Sequence, residues 1–116
     1  VQTLTKTPGS VGVFGYSFLE ENGDKVKAMS IDGVAPTVAT ISEGTYPLSR
    51  SIYIYVKKAH VGVTLGLQEF VNEFVSDAAT GRGGYLQSRG LIPLLPPEHE
   101  AMKSAATQMT VMGRPD

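Results

Sequence analysis

The chain of 116 residues and 12.3 kDa is long enough for one domain with a modest core. A formal charge of -1 and a pI near 6.1 leave no basic excess to hold nucleic acid or an anionic membrane surface. Cysteine is absent, which excludes disulfides, thiolate zinc sites and cysteine nucleophiles, and no apolar run approaches the length of a membrane span.

The opening residues 1–7 lack an initiator Met and the charged-then-apolar pattern of an export signal, so the chain is expected to be a mature or cut segment. Thr7-Pro8-Gly9-Ser10 reads as a loop. Val11–Phe14 is a short apolar strand candidate, and Tyr16–Asn22 a short helix stopped at Gly23. Lys27–Ile31 is a second strand candidate, followed by the turn pair Asp32-Gly33. Thr37 is placed to cap a brief helix through Ile41 to Glu43, ended by Gly44. Pro47 blocks helix in the Tyr46–Arg50 connection.

Ser51–Lys57 is the strongest strand candidate. Ile52, Tyr53, Ile54, Tyr55 and Val56 are all β-formers, and both faces of the segment are apolar, the pattern of a strand covered on two sides. Leu67–Asp77 is the strongest helix, with Leu67, Phe70, Val71, Phe74 and Val75 recurring on one face. Gly81–Gly84 predicts a flexible break, Tyr85–Arg89 a last helical turn before Gly90, and Leu91–Leu94 an extended apolar piece. Pro96-Pro97 then precedes a final helix, Glu98–Met112, with a stripe of Met102, Ala105, Ala106 and Met109. The order strand, helix, strand, helix, strand, helix, helix predicts an α/β or α+β fold.

Chemistry-bearing residues are sparse. His60 and His99 lie in different segments without a metal-ligand partner at useful spacing, and both are expected to be ordinary surface or loop residues. Glu20 and Glu21 are sequence neighbours and do not face each other on a helix. Gly81-Arg82-Gly83-Gly84 lacks the Lys-Ser/Thr of a P-loop and reads as a turn between helices. Ser49-Arg50-Ser51 has two readings. An Arg flanked by hydroxyls can bind a carboxylate or phosphate, or the Arg can tie the loop to a neighbouring acceptor. No catalytic residue, metal site or cofactor site is expected.

Several segments, in order, resemble the periplasmic phosphate-binding proteins that feed ABC phosphate transporters. They are Thr7–Tyr16 (Pro-Gly-x-Val-Gly-x-x-Gly-Tyr), Gly33-Val34-Ala35-Pro36, Tyr46-Pro47-Leu48-Ser49-Arg50 with the strand after it, and Gly84-Tyr85 with Gly90–Leu94. The resemblance implies the carboxy-terminal segment of a two-lobed α/β fold of the periplasmic-binding-protein type (type II). Residues 1–45 would end the second lobe, 46–51 would form the hinge crossing, and 52–116 would return to the first lobe and add its terminal helices. It further implies a non-enzymatic phosphate receptor of the periplasm, partnered by inorganic phosphate and by ABC transporter membrane subunits.

That family's phosphate contacts lie in upstream motifs, including an Arg before a Ser-Gly-Thr turn. Ser42-Glu43-Gly44-Thr45 is only superficially similar, because Glu43 would repel an anion. Ser49 and Arg50 remain as cleft-proximal ligand candidates. The alternatives are a segment of a receptor-fold phosphatase, or a self-associating α/β domain without ligand. The unpaired apolar strand Ile52–Val56 predicts a homo-oligomer of the isolated chain.

Overall fold

The computed structural model describes residues 2–113 and divides them into two compact units. One runs through Arg50 and adds Arg89–Ile92; the other comprises Ser51–Ser88 and the chain from Pro93 onward.

The first unit is built from short helices and turns. Helix α1 (Gln2–Lys6) occupies residues in which the sequence shows no helix signal. Helix α2 (Tyr16–Glu21) forms where expected, and Phe14, where the chain enters it, lies near Phe18 with ring centroids 6.3 Å apart and the rings tilted. Asp32 and Gly33 both take positive φ, 50° and 79°, as a two-residue reversal of the primed type requires. Ile31 and Val34 exchange both backbone hydrogen bonds across that turn at 2.9 Å.

Helix α3 (Val38–Ser42) begins at a reciprocal cap. The Thr37 hydroxyl accepts from the Thr40 N–H at 3.1 Å, while Thr40 Oγ1 accepts from the Thr37 N–H at 2.9 Å. Threonine here does the work of the Glu or Gln more usual at the third helical position, and a cap of this kind stabilises by about 1 kcal/mol. Past α3, Gly44 turns the chain at φ 69°, and the Tyr46 hydroxyl reaches back to the Met29 carbonyl at 3.4 Å. Gly90 closes the unit, its φ of 89° and its lack of a side chain allowing its backbone to lie against Ser17.

In the second unit, helix α4 (Leu67–Phe74) buries Val71 and is followed by buried Val75. The predicted helix to Asp77 breaks at Ser76 for a local reason. The Ser76 hydroxyl donates to the Glu73 carbonyl at 2.7 Å and accepts from the Ala79 N–H at 3.2 Å. It thereby ends one helix and caps the next, α5 (Asp77–Thr80). Phe70, expected on the packed face, is exposed and lies beside Phe74. Gly81–Gly84 is a tight turn rather than a flexible break. It returns the chain along α5, where the Tyr85 and Leu86 N–H groups donate to the carbonyls of Ala78 and Ala79 at 2.8 and 3.1 Å. A single 3-10 turn, Gln87–Arg89, follows.

Helix α6 (Pro96–Thr107) starts at the two prolines, two residues earlier than expected, and stops before Met109. Prolines suit this position because the first N–H groups of a helix have no intrahelical acceptor. Helix α4 packs on both α5 and α6. All of the buried hydrophobic residues among those described, Val71, Val75 and Ala79, belong to this unit.

The three predicted strands do not form ladders. Among the described residues the only β-pairing is the isolated Ile31–Val34 bridge. Val11–Phe14 is exposed, and Ile52, Tyr53 and Tyr55 are more than 70 % exposed. Tyr53 and Tyr55 still lie side by side at 6.3 Å, as two residues on one face of an extended segment do. What is lacking is a partner strand, because a ladder needs donors and acceptors from a second segment. The α/β expectation is therefore not reproduced as a sheet among the described residues.

Candidate functional site

Ser49 and Arg50 end the longer of the two chain stretches that make up the first unit. Ser49 is half-buried, and its hydroxyl donates to the Tyr46 carbonyl at 2.7 Å, alongside its own N–H at 2.9 Å. The Tyr46–Ser49 turn is thus closed by two bonds to one carbonyl, a use of serine common in turns. Arg50 is exposed and forms no hydrogen bond or ion pair with a described residue. The serine, not the arginine, ties this loop down, and the guanidinium remains directed to solvent with its five donors available.

The densest group of polar side chains is in the second unit, where α5 meets α6. His99, in the second turn of α6, is only 6 % exposed, which corrects its reading as an ordinary surface residue. Its Nε2 lies 3.1 Å from the equally buried Thr80 hydroxyl, and its Nδ1 lies 3.3 Å from Asp77 Oδ1. Lys103, one turn further along α6, places Nζ 3.0 Å from Asp77 Oδ2 and 3.1 Å from Glu100 Oε1.

The hydrogen bonds to Asp77, and secondarily to Glu100, hold the Lys103 ammonium above the usual lysine pKa. Both carboxylates are exposed, so water screens much of this attraction. No buried side-chain polar atom among the described residues is left without a hydrogen-bond partner.

Sequence spacing could not assemble this group. Asp77 stands 22 residues before His99, and only the return of the chain over α4 brings α5 and α6 together. The one local signal was the spacing of Glu100 to Lys103, three residues along a helix. His60, by contrast, is exposed, as expected. None of the helices among the described residues is long and apolar enough to cross a membrane.

Known proteins resemble this chain over most of its length. It is 32 % identical over 99 residues to the phosphate-binding protein PstS of Staphylococcus saprophyticus, a match covering 81 % of this chain and 30 % of that protein. It is 36 % identical over 93 residues to the phosphate-binding protein PstS of Staphylococcus aureus strain MRSA252, covering 74 % and 28 %. Protein SphX of Synechococcus elongatus is 35 % identical over 105 residues, covering 81 % and 28 %. The chain thus spans about three-tenths of the length of the curated relatives it matches. No solved structure matches it. A family model for the PBP superfamily domain matches residues 1–78, two-thirds of the sequence, and the chain belongs to that superfamily.

Proposed function

We propose that this chain is the carboxy-terminal portion of a phosphate-binding receptor that delivers phosphate to the membrane subunits of an ABC importer, outside the cytoplasmic membrane and without enzymatic activity. The observation that carries the reading is 32–36 % identity to proteins named for phosphate binding, over roughly three-quarters or more of the chain. The ordered motifs from Thr7–Tyr16 to Gly90–Leu94 point the same way. The change of compact unit between Arg50 and Ser51 supports reading 46–51 as the crossing between lobes, with 1–45 before it and 52–116 after. Positions 1 and 114–116 of that scheme lie outside the described residues.

In this reading Ser49 and Arg50 stand near the cleft. Their chemistry fits the role, because a guanidinium with free donors can meet a phosphate in a bidentate fashion. The principal phosphate contacts come from upstream segments of the longer polypeptide. Calorimetric titration with inorganic phosphate tests this. A polypeptide of the relatives' length that contains this chain is expected to bind one phosphate and to leave a phosphate ester intact. The 116-residue chain alone is expected to bind none tightly. Turnover of the ester would favour the receptor-fold phosphatase, and tight binding by the chain alone would overturn the upstream location of the site.

The same reading explains the exposed apolar run. In the longer polypeptide Ile52–Val56 adds to a sheet, and on the isolated chain second copies cover it. Light scattering of the chain is expected to give a mass well above 12.3 kDa. Ile54→Lys, placed in the middle of the run, should shift that mass toward the monomer, since charge on a strand edge blocks pairing. A monodisperse wild-type monomer would remove the argument.

A further inference from the structure

We propose that Asp77, His99 and Glu100 form a binding site for a divalent transition-metal ion of the zinc type, the ion replacing the Lys103 ammonium between the two carboxylates. Asp77 lies at the end of the segment matched by the superfamily model, and His99 and Glu100 lie beyond it.

Geometry is the first support. One ligand atom from each of the three residues lies within 4.8 Å of the others. Zinc held at about 2.0–2.1 Å by nitrogen and oxygen ligands in a tetrahedron sets neighbouring ligands about 3.3 Å apart. His99 Nδ1 and Asp77 Oδ1 already stand 3.3 Å apart. Glu100 is exposed and can close the remaining distance by a change of rotamer. Imidazole with two carboxylates is a donor set that zinc accepts, with a fourth position left for water.

The surroundings of His99 are the second support. A ligating histidine is oriented by a hydrogen bond at its other ring nitrogen, and here the buried Thr80 hydroxyl occupies that position at 3.1 Å. The hydroxyl serves either tautomer, donating to a bare Nε2 or accepting from a protonated one. With the ion on Nδ1, the neutral ring carries its single proton on Nε2 and donates it to the Thr80 hydroxyl, so that bond survives. Thr80 Oγ1 also has the Ser76 carbonyl at 3.4 Å to receive its own proton in that state.

Charge is the third. The two carboxylates share the single ammonium of Lys103. A divalent ion compensates both carboxylates, and the flexible Lys103 side chain can withdraw its head to water.

Calorimetric titration of Zn2+ into the full 116-residue chain at neutral pH tests the site, with Co2+ absorption as a report of tetrahedral geometry. One ion per chain is expected. Lys103→Met removes the competing ammonium and should tighten zinc about tenfold. Asp77→Asn and Glu100→Gln should each weaken it by about tenfold or more, in line with the loss of a ligand. Glu100→Gln keeps the test sound if Asp77→Asn disturbs the start of α5, because Glu100 is an exposed position inside α6. Failure of both the wild-type chain and Lys103→Met to bind zinc would overturn the proposal. So would binding that neither carboxylate substitution alters, and the group would then be an ion-pair network that only joins α5 to α6.

Discussion

Val75→Asp is expected to abolish the packed arrangement of α4, α5 and α6. Val75 is 4 % exposed and follows α4 directly, where α4 gives way to the Ser76 cap. A carboxylate there would be taken out of water at one of the buried hydrophobic positions of this unit. Burying an unpaired charge costs several kcal/mol even after local relaxation. A small unit whose buried hydrophobic residues are Val71, Val75 and Ala79 has little stability to set against that cost. Far-ultraviolet circular dichroism should show loss of the helical signal at 25 °C. Val75→Ala, which leaves a small cavity and no charge, should lower the urea midpoint and keep the helices, at about 1–2 kcal/mol. Equal effects of the two substitutions would show that the site is not sealed from water.

Gly84→Ala is the second large effect, and its cause is steric. A Cβ at Gly84 would fall 2.5 Å from the Ala79 carbonyl oxygen and 2.8 Å from the Ala79 carbonyl carbon. These are backbone atoms of α5 and cannot rotate away. To make room, the return strand of the turn must move off α5. That movement breaks the bonds from the Tyr85 and Leu86 N–H groups to Ala78 and Ala79. Two such hydrogen bonds at about 1 kcal/mol each, plus overpacking of about 1–3 kcal/mol, predict a loss of about 3–5 kcal/mol.

Gly83 is the control. It has φ 78°, but a Cβ there would meet nothing within 4 Å. Gly83→Ala therefore costs only the left-handed backbone strain, about 1–2 kcal/mol. Urea unfolding should rank the wild type first, Gly83→Ala second and Gly84→Ala last. The reverse order of the two variants would show that backbone conformation, not close approach, decides this turn.

Much of the local structure was legible in the sequence because its causes lie within a few residues. Thr37 caps the helix it was expected to cap, although its partner is Thr40 and not an acidic residue. Asp32-Gly33 makes the predicted turn, and Gly44 and Gly90 take the positive φ that stops and turns require. Ser76 was misread for a reason that is also local. The apolar period continues through Val75, and periodicity alone does not register a hydroxyl competing for the backbone. The helix Gln2–Lys6 lacked any signal because its residues are exposed on all but one position and carry no apolar face.

Superfamily membership was likewise readable, since it rests on ordered short motifs. At Ser49 and Arg50 the sequence offered an arginine that could tie the loop to a neighbouring acceptor, whereas the serine closes the Tyr46–Ser49 turn.

What the residues determined on their own was therefore the punctuation of the chain: caps, turns, the presence of α4 and α6, and a kinship carried by motif order. Tertiary structure decided the rest. It buried His99, paired Asp77 with Lys103 across 26 residues, and set Gly84 against α5. It also left Ile52–Val56 without a ladder. The physical reason is range. Caps and turns are closed by bonds between residues three to five apart, whereas a buried histidine or a strand depends on partners supplied from elsewhere in the chain or from beyond it.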